Sequence, residues 1–105
     1  MDLPLQITWR GIARSEGLEA AIREKAAKLQ QLYERIVRCK VVVELAGRHK
    51  NQGNPYVVRV ELKLPGSDIT ASGEHSEDVR VALRDAFEAA RRRLQDFARG
   101  QRDAA

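Results

Sequence analysis

The sequence predicts an α+β fold of order β-α-β-β-β-α, with two helices packed on one face of a four-stranded, mostly antiparallel sheet. Three observations carry this. Three segments alternate apolar and polar residues with period two and a turn leads the third into a weaker fourth, two longer segments repeat apolar residues at helical spacing, and each element has one face to bury. Helices gathered on one side of one sheet satisfy all of these faces together.

In chain order, Leu5, Ile7 and Trp9 alternate with Gln6, Thr8 and Arg10, giving a first strand with one buried face. Ser15 before Glu16 and a run of good helix formers is an N-cap. Leu18, Ile22, Leu29, Tyr33 and Ile36 then recur at helical spacing, so helix one is predicted from about Ser15 to Glu34. Cys39, Val41, Val43 and Leu45 alternate with Arg38, Lys40, Val42 and Glu44 in a second strand, and polar RHKNQGN from Arg48 to Asn54 is a loop. Tyr56, Val58, Val60, Leu62 and Leu64 form a third strand, and the turn Pro65-Gly66-Ser67-Asp68 leads into a weaker fourth strand ending near Glu74. Ser76, with Glu77 and Asp78 behind it, is predicted to cap helix two. The buried face of that helix is Val79, Leu83, Ala86, Phe87, Ala90, Leu94 and Phe97, and Gly100 is its stop.

A chain of 105 residues fits one domain, 1–105, with an ordered core of about 4–99 and a short tail, 100–105. Cys39 is the only cysteine and sits inside an apolar run, which predicts a buried, reduced thiol and a cytoplasmic setting. MDLPLQITW is too short and too acidic for a secretory signal, and no apolar stretch approaches the roughly 20 residues that span a bilayer, so membrane insertion is not expected.

Catalysis finds no foothold in the sequence. Glu74, His75 and Ser76 hold the atoms of a hydrolytic triad, but adjacent residues at a strand end point in different directions and cannot relay a proton. His49 and His75, with Cys39 directed inward, lack the spacing of a metal site. Neither a GxGxxG nor a GxxxxGK[ST] phosphate loop is present. No catalytic group, metal, cofactor or small-molecule substrate is predicted.

The net charge of +4 is modest, so placement matters more than the sum. On a wheel of about 100° per residue, Arg80, Arg84 and Arg91 share one flank of helix two, while Asp78, Asp85 and Asp96 gather on the other. Arg92 and Arg99 form a second row toward solvent, and Lys25, Lys28 and Arg35 line an edge of helix one. Solvated faces supported by pairs such as Arg84 with Glu88 would give part of this pattern. Arginine rows separated from acids are also what phosphate backbones select, which makes structured RNA the predicted partner. The open sheet face offers Arg38, Lys40, Arg59, Glu61 and Lys63 in place of stacking aromatics, which argues against reading of single-stranded bases there.

Three segments in order carry a family resemblance: ITWRGIARSEGLE, AAKLQQLYERI and EDVRVALRDAFEAARRRL. The chain resembles the ribosome hibernation promoting factor and YfiA-like family, also called sigma-54 modulation proteins, over nearly its full length. Lys25, Lys28, Arg35 and Arg92 stand where the family pattern is also basic. Departures include Trp9 for the usual Gly, Val79-Arg80 for Met-Tyr and Ala89-Ala90 for Lys-Leu. The resemblance implies a short, single-domain factor that binds the small ribosomal subunit and its 16S rRNA near the decoding region. By occupying the mRNA path and tRNA sites it would hold idle ribosomes inactive through steric blocking. Two other readings stay open, a generic double-stranded RNA-binding module and a protein-interaction domain pairing through a sheet edge where Val42 and Val57 interrupt the polar face. Self-association is left open as well.

Overall fold

The computed structural model describes residues 3–46, 55–75 and 77–104. Strand β1 is Leu5–Arg10, helix α1 Glu16–Leu32, β2 Arg38–Leu45, β3 Tyr56–Leu64, β4 Ser67–His75 and α2 Val79–Ala104. The predicted order holds. The expected loop at Arg48 to Asn54, including His49, and the expected cap Ser76 lie outside the described residues.

The four strands form one sheet in the order β1-β2-β3-β4. Strand β1 runs parallel to β2, which requires a crossover long enough to hold α1, and β2, β3 and β4 follow as antiparallel neighbours. Strand β1, joined to β2 in parallel through a crossover helix, is an element that the helix-first double-stranded RNA-binding module lacks. Pro65 and Gly66 alone make the β3–β4 turn, because Leu64 already pairs with Ser67. Gly66 has φ +75°, a left-handed conformation that suits glycine after proline.

Register explains the core. Leu5, Cys39 and Leu62 align across three strands, as do Ile7, Val41 and Val60, and then Trp9, Val43 and Val58. These rows meet Leu18, Ile22, Ala26 and Leu29 of α1 and Ala82, Leu83, Ala86, Phe87, Ala90 and Leu94 of α2 in a single cluster. Fully burying each large aliphatic side chain contributes roughly 1.5–3 kcal/mol relative to leaving it in water. Val42 belongs to the opposite, polar face, yet it is 1% exposed, flanked by Thr8 and Arg59 on an interior strand. It therefore supplies no exposed apolar patch for partner docking.

The C-terminal ends of both helices differ from expectation. Ser15 caps α1 as predicted, its hydroxyl accepting from the Leu18 amide at 3.2 Å, but the helix stops at Leu32 rather than near Glu34. Tyr33 turns extended there (φ −146°), and its ring packs edge-on against Phe97 with centroids 5.6 Å apart. Ile36, placed on the helical repeat by the sequence, is buried from the connection into β2 instead. Gly100 does not stop α2, which continues to Ala104. A glycine ends a helix by adopting positive φ, and among the described residues only Gly11 and Gly66 do so. At the start of α2, the Asp78 carboxylate accepts from the Arg80 amide at 2.9 Å. His75 Nδ1 accepts from the amides of Glu77 and Asp78 at 3.1 and 2.9 Å, so this histidine is occupied in shaping the turn.

Candidate nucleic-acid interface

The two helices lie side by side on the sheet, α2 over β4 and β3 and α1 toward β1, and they touch one another. Their outer flanks leave an open groove of about 480 Å³. Lys25 and Lys28 rise from α1 on one bank and Arg84 and Arg91 from α2 on the other. Each pair sits three or seven residues apart, spacings that keep side chains on one row of a helix. The floor is apolar, formed by Leu29, Leu32 and Phe87, with Gln31 and Glu88 as further polar lining.

Of the eight basic residues singled out from the sequence, the fold thus brings Lys25, Lys28, Arg84 and Arg91 together. Arg35, Arg80, Arg92 and Arg99 do not line this groove. The Arg80 guanidinium instead reaches the start of α1, where a Cβ on Gly17 would meet its Nη2 at 3.3 Å. Arg99 pairs with Asp96 at 3.7 Å, one turn earlier on α2.

Acidic neighbours are closer to some of these cations than the wheel suggests. Arg84 pairs with the adjacent Asp85 at 3.3 Å, in place of the expected Glu88, and Lys28 pairs with Glu24 at 3.7 Å. All four side chains are well exposed, so these pairs are worth at most about 1 kcal/mol each. Lys25, Arg35, Arg80, Arg91 and Arg92 make no ion pair among the described residues. Arg93, outside the predicted set, donates to the Thr70 carbonyl and ties α2 to β4.

On the far side of α1, Glu19 accepts from Arg23 and from Arg14, each at 2.9 Å. The Arg23 hydrogen bond, with Arg14 adding to it, holds the Glu19 carboxyl below its usual range. That acid is therefore neutralised locally.

Leu29 and Phe87 were expected on the buried faces, but Leu32 was not singled out from the sequence, although a signal existed. Leu32 falls within roughly 20° of Lys25 on the helical wheel, among the basic residues and off the core stripe. Among the described residues no cluster of three or more His, Cys, Asp and Glu could hold a metal ion, and no helix is long and apolar enough to cross a membrane.

A family model described as Sigma 54 modulation protein / S30EA ribosomal protein matches residues 5–102. Two solved structures have the same fold. A ribosomal subunit interface protein from Coxiella burnetii is 20% identical with a TM-score of 0.74, the match covering 91% of this chain and 98% of that one. The N-terminal domain of Protein Y from Thermus thermophilus is 21% identical with a TM-score of 0.73, over 92% and 99% of the two chains. No curated protein matches the sequence.

Proposed function

Because this chain belongs to the Sigma 54 modulation protein / S30EA ribosomal protein family, we propose that it is a cytoplasmic ribosome-associated factor that silences idle ribosomes by steric occupancy. It binds the small subunit through 16S rRNA near the decoding region, where its body overlaps the mRNA path and the tRNA sites. The family match carries this reading, and the groove supplies its chemistry. Lys25, Lys28, Arg84 and Arg91 converge on one surface, and phosphates are held there by charge and by the bidentate geometry of guanidinium groups. Arg35, Arg80, Arg92 and Arg99 widen the positive field and raise the encounter rate.

The mechanism requires no bond to be made or broken. A folded domain held by several phosphate contacts excludes other ligands from the volume it fills, and release follows when those contacts are competed away. Sedimentation of the protein with purified small and large subunits tests the reading, together with competition by mRNA and initiator tRNA. Co-sedimentation with the small subunit, reduced by both competitors, is the expected result. Binding to the large subunit alone, or to neither, would overturn it.

A further inference from the structure

We infer that the groove between α1 and α2 seats one unpaired nucleobase of the RNA partner, an inference that rests on the RNA-binding reading above and goes beyond phosphate contact. Phosphates need cations, but they do not need the apolar floor that lies between these cations. Leu32 is 40% exposed, and it and Val37 are the exposed large hydrophobic side chains of the described residues. Docking of a duplex backbone alone would leave Leu32 wet. Beside it lie Leu29 and Phe87, each buried in the core on its inner side and closing the groove on its outer side.

Charge selects the occupant. The groove lining carries four cations against one carboxylate, Glu88, so an apolar body that enters must bring negative charge with it. A nucleotide does so, with its flat base directed to the floor and its phosphates to Lys25 and Arg91, which have no ionic partner among the described residues. The volume of about 480 Å³ lies within the roughly 300–1,000 Å³ of small-ligand sites. A guanidinium plane adds a stacking surface, which splayed bases use as readily as aromatic rings. Glu88, acceptor-only when ionised, favours a base with an exocyclic amino group, as on cytosine, over one that presents only carbonyls at that edge. The sheet face, lacking aromatics, is thereby not the base-reading surface; the helix pair is.

Three RNA hairpins with one common stem test this: fully paired, with a single bulged cytidine, and with an abasic residue at the bulge. The protein is expected to bind the cytidine bulge about tenfold more tightly than either of the other two, as loss of one stacked base typically costs. Leu32→Asn should bring affinity for the cytidine bulge down to that for the abasic bulge, its melting temperature showing that it is folded. Arg91→Gln should weaken binding to all three. Equal affinity of wild-type protein for the cytidine and abasic bulges overturns the base seat, whatever the variants do, and leaves RNA binding itself intact. Failure to bind any of the three overturns the RNA reading and the base seat with it. Displacement of the bulged hairpin by an acidic amphipathic peptide but not by free cytidine monophosphate would also count against the seat, by showing the groove to be a protein-docking site.

Discussion

Gly73 of β4 lies directly beneath Ala82 of α2, so close that a Cβ on the glycine would meet the Ala82 carbonyl oxygen well inside van der Waals contact. The same atom would come within 2.6 Å of the Ala86 amide nitrogen and 3.0 Å of the Asp85 Cβ. Two of these three neighbours are backbone, so no rotamer change relieves the clash. The missing side chain lets α2 settle on the sheet at the height that brings Arg84 and Arg91 opposite α1. Gly73→Ala is therefore expected to lift or shift the helix and to cost on the order of 1–3 kcal/mol or more, the range for overpacked cores. Denaturant unfolding measures the loss. Unchanged stability would mean that the helix has room to move.

Cys39 offers a separate check of the core, with a pH signature. The side chain is 0% exposed between Leu5 and Leu62, and burial pushes its thiol up from about 9 to about 12. The folded chain then keeps a proton that the unfolded chain releases above about pH 9, so the folded state binds more protons in that window. Stability is unaffected below about pH 9 and falls as pH rises toward 12, by on the order of 4 kcal/mol from this group alone. Cys39→Ala lacks the titration and leaves a small cavity. Its deficit relative to wild type at pH 7 should shrink or reverse by pH 11, as read from urea unfolding at both pH values. Thiol labelling of the native protein should be slow, and Cys39→Ser should cost on the order of 1–3 kcal/mol by burying a poorly satisfied hydroxyl.

Most of the fold was legible because its determinants are local and periodic. The alternation of Val58, Val60, Leu62 and Leu64 with polar residues states which face is buried, and the register with Val41 and Cys39 follows once hairpins are assumed. Features that depend on a neighbouring element were not. Gly100 resembles a stop in isolation, but nothing approaches within 4 Å of its Cβ position and its φ is not left-handed, so the helix simply continues. Val42 looks like a break in an exposed face until β1 and β3 flank it. Four members of the candidate site were legible from helical wheels, since each wheel gives one bank of the groove. That the banks of α1 and α2 face each other, with Leu32 and Phe87 between them, is a property of the packed pair.

Ribosome association should be strongly salt-dependent. If the groove cations neutralise about four phosphates, counterion release predicts a loss of affinity of roughly 100-fold between 50 and 200 mM monovalent salt. Titrating labelled protein against small subunits across that range gives the slope directly. An affinity independent of salt would exclude phosphate contact as the main source of binding.

Charge reversal of emphasis between the two sides of α2 gives the sharpest test of the interface. Arg84 and Arg91 line the groove, whereas Asp85 and Asp96 lie outside it and pair with Arg84 at 3.3 Å and Arg99 at 3.7 Å. Neither replacement touches the core, so Arg84→Gln with Arg91→Gln, and Asp85→Asn with Asp96→Asn, should each alter stability by less than about 1 kcal/mol. On the proposed reading, the arginine double variant removes two phosphate ligands. Its binding to the small subunit should fall about tenfold or more, and its log–log salt slope should become shallower by about two. The aspartate double variant changes net charge by the same amount in the opposite sense and frees Arg84 and Arg99 from their carboxylates. Its affinity should be equal to wild type or slightly higher, through the long-range field. Co-sedimentation of both variants at one fixed salt concentration, after matched thermal melts, separates contact from field. If the arginine variant binds as wild type does, the α2 arginines are only a solvated face and the interface lies elsewhere on the domain.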